Sequence, residues 1–137
     1  MDKITNQKDI ILFVDDEKIC HTLLELIIPN FTNFKLIGAY NGNEAISLAR
    51  RYSNNLCLIL CDVMLPDIDG YEIYYRLSQD DKCKNIPFVF QSGVFNQKST
   101  IMAKTGSAVK IIYKPYKQQE LLKIIHETAE TTETDKL

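Results

Sequence analysis

Four places in the chain carry side chains that can do chemistry together: Asp15-Asp16-Glu17, Asp62, Ser92 and Lys114. Crowded carboxylates repel one another and stay ionised only beside a compensating cation. Two or three acids with open coordination positions suit Mg²⁺, which prefers oxygen donors, keeps several waters and then takes phosphate oxygens. A carboxylate can also attack phosphorus to give an aspartyl phosphate. The charge that spreads over the transferred group is then stabilised by a metal on one side and a fixed cation on the other. Lys114 supplies such a cation, and Ser92 a hydroxyl for a phosphoryl oxygen. Asp62 is therefore the candidate nucleophile.

Taken singly, each residue has a plainer reading. Asp62 can cap a turn, Asp15-Asp16-Glu17 can be an acidic first helical turn, Ser92 a loop hydroxyl and Lys114 a solvated lysine. What argues against these readings is the set of elements that must carry the residues. Short apolar runs bounded by turn residues read as buried strands: 10–14, 34–40, 56–61, 86–92 and 109–113. Asp15/Asp16, Asp62, Ser92 and Lys114 stand where the first, third, fourth and fifth of these runs end.

Helical spacing fills the gaps between the runs. Ile19, Leu23, Leu26 and Ile27 form a stripe that Pro29 and Asn30 end, and Ala45, Leu48, Ala49 and Tyr52 form a second. Gly70 opens a third helix with Ile73, Tyr74 and Leu77 inward; Ser99 to Thr105 is a weakly anchored fourth; Leu121, Leu122, Ile125 and Ala129 mark the last. Alternating strands and helices imply an α/β fold, a doubly wound five-stranded parallel sheet with helices on both faces. In such a sheet ligands bind at the carboxyl edge, which is where the chemically able residues converge.

The chain has 137 residues, 45% hydrophobic and 25% charged with net charge −2, which fits one soluble domain. That balance offers no electrostatic footprint for direct nucleic-acid binding. No apolar run approaches the roughly 20 residues of a membrane span, and the first residues lack the apolar core of a signal peptide. Cys20, Cys57, Cys61 and Cys83 show no paired metal-binding spacing and read as reduced thiols, with Cys57 and Cys61 on one strand face. A cytoplasmic location is expected, with an extension over 1–8, the domain over 9–129 and a polar tail over 130–137.

The ordered set Val14-Asp15-Asp16-Glu17, Asp62 through Glu72, Ser92 and Lys114-Pro115-Tyr116 resembles the receiver domain of two-component response regulators, a flavodoxin-like fold. Asn41-Gly42-Asn43-Glu44-Ala45 also looks like that family's second-helix start. The resemblance implies Asp62 as phosphoacceptor, Asp16 as direct Mg²⁺ ligand, Asp15 acting through a metal-bound water, and the Met64 backbone carbonyl completing the ligands. It implies that Lys114 contacts the phosphoryl group, that Ser92 moves toward it, and that the Lys114–Pro115 peptide is cis. The donor would be a phosphohistidine on a sensor histidine kinase or a histidine phosphotransfer protein. The output would be contact with a downstream protein.

This chain departs from the family pattern at several positions. Ile111 stands where the family's switch aromatic lies, with Tyr113 two residues on as a possible substitute. Gly93 follows the serine, and Gly106 is one residue further from the lysine than usual. Met64 and Val94 flank the expected path of a hydrolytic water and cannot orient it, which implies slow self-dephosphorylation. Two rival readings are a receiver-like scaffold that is never phosphorylated and a Mg²⁺-dependent phosphohydrolase. The second lacks the general acid that such enzymes carry two residues after the nucleophile, where this chain has Met64.

Overall fold

The structure is a computed structural model that describes residues 7–130. The expected tail therefore lies almost wholly, and the expected extension mostly, outside the described residues.

Five strands, β1 (Ile10–Val14), β2 (Lys35–Ala39), β3 (Leu56–Asp62), β4 (Phe88–Ser92) and β5 (Lys110–Tyr113), alternate with α1 (Lys18–Phe31), α2 (Gly42–Arg51), α3 (Gly70–Ser78), α4 (Lys98–Thr105) and α5 (Gln118–Ile125). All neighbouring strands are parallel, in the order β2-β1-β3-β4-β5. Every residue of β3 is buried, as expected for the central strand of a sheet covered on both faces. One face packs Ile11, Phe13, Leu58 and Leu60 against Leu24 and Ile28 of α1 and Leu121 and Ile125 of α5. The other packs Leu12, Val14, Ile59 and Cys61 against Ala45 and Ala49 of α2 and Ile73 and Leu77 of α3. A smaller cluster of Val63, Phe90 and Ile101 seats α4.

Local chemistry starts the helices that frame the edge. Asn41 accepts a hydrogen bond from the Glu44 N–H and Asp69 one from the Glu72 N–H, side-chain caps on α2 and α3. Asp67 reaches across from the β3–α3 loop and accepts from the N–H groups of Gly42 and Asn43 at 2.8 and 2.9 Å. That loop is thereby tied to the start of α2. Gly70 is required by close approach: a Cβ there would lie 2.4 Å from the Asp62 carbonyl oxygen.

Expectations about α1 and about the cysteines are corrected. In α1 the buried residues are His21, Leu24, Ile27 and Ile28, whereas Ile19, Leu23 and Leu26 are exposed. The helix also runs through Pro29 to Phe31; a proline in the last turn forfeits one bond without ending the helix. His21 takes the inward place because its Nε2 bonds the Asp15 carbonyl oxygen at 2.7 Å and its ring stacks on Tyr40 with centroids 3.9 Å apart. Gly38 leaves it room, since a Cβ there would lie 2.6 Å from the His21 ring. Cys57 and Cys61 are both buried but on opposite faces. The β1–β3 register shifts at Cys57, and a bulge of this kind breaks the two-residue alternation.

Candidate functional site

β1 and β3 deliver their acids side by side, Val14 pairing with Cys61 one step before each carboxylate. Asp15 is fully buried, Asp62 nearly so, and Asp16 is exposed. One carboxylate oxygen from each of these three residues lies within 4.8 Å of the others. All donors are hard oxygens and one side is open to solvent, a set that fits Mg²⁺ or a similar ion. Glu17 and Cys20 also present an atom each within that distance of Asp15. Burial pushes the Cys20 thiol up to about 11, so it is protonated at neutral pH and a poor partner for a hard cation.

Lys114 closes the site from the end of β5. Its Nζ lies 2.7 Å from Asp62 Oδ2 and 3.2 Å from Asp15 Oδ2. Its own N–H donates to the Ser92 carbonyl oxygen at 2.7 Å, and the Lys114–Pro115 peptide is cis. Burial works against the ammonium, but the hydrogen bond and charge of Asp62, and then the charge of Asp15, override it and hold the amine above its ordinary value. Burial also lifts the Asp62 carboxyl above the usual carboxylate range, with Lys114 and the Met64 N–H (3.1 Å) opposing the rise. The arrangement sets one ammonium against three carboxyl groups, well matched to a divalent cation.

Ser92 sits at the end of β4, buried, with its hydroxyl accepting from the Val94 N–H at 3.0 Å. The edge thus gathers Asp15, Asp16, Asp62 and Lys114 around shared oxygens, while the Ser92 hydroxyl is engaged with its own loop. Met64 and Val94 are exposed at 69% and 57%, so neither side chain is committed to the core.

Ile111 packs beside the cluster that seats α4, and Tyr113 is engaged elsewhere. Its hydroxyl accepts from the Gln97 N–H at 3.1 Å and its ring lies 5.3 Å from that of Phe95. Tyr71 donates to Gln97 Oε1, also at 3.1 Å. The connection from α4 to β5 begins with a regular glycine cap. Gly106 caps α4 at φ 71°, a left-handed position that glycine adopts without strain.

Sequence reasoning assigned no role to Gln91 and Tyr116. Gln91 is fully buried and donates to Asp15 Oδ2 at 2.7 Å, and Tyr116 donates to Gln91 Oε1 at 3.0 Å. A polar residue inside the apolar run Phe88-Val89-Phe90-Gln91 was the available signal, because a buried amide needs partners.

Comparison with known proteins supplies the relationship. Residues 11–126 match the model of the response regulator receiver domain. The chain belongs to the response regulator receiver domain family. The receiver is 31% identical over 116 residues to the response regulator SaeR of Staphylococcus aureus, with 82% of this chain and 46% of that protein covered. It thus spans about half the length of the curated relatives it matches. Its fold is that of the chemotaxis response regulator CheY4 of Vibrio cholerae, with a TM-score of 0.79 at 20% identity over 89% of this chain and 99% of the other. The receiver domain of the sensor histidine kinase PA1611 of Pseudomonas aeruginosa superimposes with a TM-score of 0.75 at 22% identity, over 89% of this chain and 98% of that one. That protein was solved with a magnesium ion coordinated in its active-site cleft. No helix among the described residues is long and apolar enough to cross a membrane.

Proposed function

We propose that this receiver, spanning residues 9–129, is a cytoplasmic signalling module that accepts a phosphoryl group on Asp62 from a phosphohistidine. The donor is a sensor histidine kinase or a histidine phosphotransfer protein. The observation that carries the reading is the Lys114 ammonium shared between Asp62 and Asp15, with Asp16 open to solvent beside them. A carboxylate oxygen of Asp62 attacks phosphorus, the phosphorus–nitrogen bond breaks, and the donor imidazole leaves with that electron pair. Asp16 and Asp62 would hold Mg²⁺ directly with the Met64 carbonyl, and Asp15 through water; when bound, the ion neutralises charge on the transferred oxygens.

Lys114 already faces Asp62 Oδ2 and follows the phosphoryl oxygens as they arrive. Ser92 exchanges its bond to the Val94 N–H for one to a phosphoryl oxygen, which pulls the start of the β4–α4 loop inward. The added charge of about −1.5 to −2 is read by a downstream protein at α4 and β5, the least anchored part of the edge. Met64 and Val94 offer an incoming water neither a proton acceptor nor a hydrogen bond, so the phosphorylated form decays slowly.

Incubation with a small acyl phosphate and Mg²⁺, followed by intact-mass measurement, tests the reading. One phosphoryl group is expected on the wild type and none on Asp62→Asn, with a half-life of minutes or longer. An unmodified wild type would indicate a scaffold. Steady turnover of a generic phosphate ester would indicate a phosphohydrolase.

A further inference from the structure

Gln91 pairs with Asp62 across the β3–β4 register and carries the one fully buried amide side chain among the described residues. The amide turns its NH₂ toward Asp15, whose Oδ2 accepts from it. Its Oε1 then points away and can only accept, which makes the Tyr116 hydroxyl the donor. The chain therefore has one polarity: Tyr116 O–H to Gln91 Oε1, then Gln91 N–H to Asp15 Oδ2. Burial holds the Tyr116 phenol above its ordinary value and so in its neutral form. Both links are neutral; Gln91 is fully buried and Tyr116 half-buried.

The distances divide the labour at the site. At Asp15 Oδ2, Gln91 takes the closer place at 2.7 Å and Lys114 stands at 3.2 Å. At Asp62 Oδ2, Lys114 is at 2.7 Å. The other Asp15 oxygen is occupied by the Glu17 N–H at 2.8 Å. Without Gln91 the closest donor to Asp15 Oδ2 is lost, only the weakly donating Cys20 thiol remains among the side chains beside the lysine, and the lysine would be drawn toward the buried carboxylate.

We propose that Tyr116 and Gln91 form a positioning relay that satisfies Asp15 with a neutral hydrogen bond, fixes the carboxylate for the metal, and leaves Lys114 committed to Asp62. The proposal rests on the reading of Asp62 as phosphoacceptor and adds two residues to that machinery. The relay also links the metal side of the site to the Lys114-Pro115-Tyr116 turn, so the acid and the cation are set by one piece of structure.

The test uses the full chain, with Gln91→Met, which keeps the volume and removes both polar ends, Tyr116→Phe and the double variant. The ¹⁵N–¹H resonance of the Gln91 side-chain amide is expected to move in Tyr116→Phe and on adding Mg²⁺ to the wild type. The Mg²⁺ dissociation constant, read by calorimetry with the metal alone, is expected to rise about tenfold in Gln91→Met and about threefold in Tyr116→Phe, the loss of one hydrogen bond or less. In a series relay the double variant does no worse than Gln91→Met alone. With acyl phosphate at saturating Mg²⁺, the maximal rate falls in the same order while the half-saturating donor concentration stays put. Wild-type Mg²⁺ affinity in Gln91→Met, additive losses in the double variant, or a Gln91 resonance indifferent to Tyr116→Phe would each overturn the relay. Should Gln91→Met fail to fold, Tyr116→Phe alone decides by the resonance and the affinity. A wild type that binds Mg²⁺ yet gains no phosphoryl group sinks the phosphoacceptor reading instead, and the relay is then judged on the metal titration.

Discussion

The two halves of the carboxyl edge are built to different standards. On the β1–β3 side, Asp15 and Asp62 emerge from strands whose last residues are all buried, and the Glu17 N–H, the Gln91 amide and the Lys114 ammonium all donate to Asp15. On the β4–β5 side, α4 is eight residues long with Ile101 its one buried residue, and Val94, Phe95 and Met102 stand exposed around it. A phosphoryl-transfer site needs oxygens held to fractions of an ångström. A surface that changes partners needs an element whose alternative arrangement is close in free energy. The contrast between a fixed acid pocket and a lightly pinned helix is what the proposed function would require.

Four experiments break or sharpen that contrast. Lys114→Met strikes the fixed half: it strands two buried carboxylates, and a loss of about 2–3 kcal/mol is expected in metal-free urea unfolding, below the range for fully buried pairs because the lysine is one-fifth exposed. Mg²⁺ should restore much of it, and a variant as stable as wild type without metal would show that the acids need no cation. Ile101→Ala strikes the loose half at about 2 kcal/mol, the low end for a buried isoleucine. Its effect should stay local: amide exchange accelerates across Lys98–Thr105 and is unchanged in β1 and β3. Uniform acceleration would mean that the two halves unfold as one.

The third experiment reads pH. The folded protein binds a proton at Asp62 more tightly than the unfolded chain does, because burial raises that carboxyl. Its stabilising contribution is therefore full below the unfolded value and is lost as pH rises through the raised folded value. In metal-free buffer Asp62→Asn should match the wild type in acid and become the more stable protein toward neutrality. The opposite sign would mean that Lys114 outweighs burial. Last and smallest, Gly93→Ala should change stability by less than about 0.5 kcal/mol, since a Cβ there meets nothing within 4 Å. A larger loss would place that loop under constraint.

Much of this architecture was legible in the chain itself. Apolar runs of strand length, four of the five ending in a residue that can do chemistry, predict both the parallel sheet and the edge where such residues gather, and the five strands fall where those runs are. The runs are less exact at their ends: β4 begins at Phe88 because Pro87 cannot donate, and its carbonyl instead accepts from the Ile59 N–H. Residue types could also say that Asp15, Asp16, Asp62 and Lys114 belong together, because unlike charges at successive strand ends have few other uses.

What periodicity could not decide was which of two apolar faces wins. Ile19, Leu23 and Leu26 look like a core stripe, yet α1 turns His21 inward, since only the fold brings the Asp15 carbonyl, the Tyr40 ring and the space over Gly38 to one place. A single shift in β-register put Cys57 and Cys61 on opposite faces for the same kind of reason. Gln91 is the sharpest case. Its buried amide is tolerable only because Asp15 and Tyr116, 76 and 25 residues away in sequence, supply its two partners. The sequence alone determined the sheet and the residue types at its edge, because strand period and strand ends are local. Which polar groups pair beneath that edge was decided by packing, because hydrogen bonds between distant segments exist only after the segments have met.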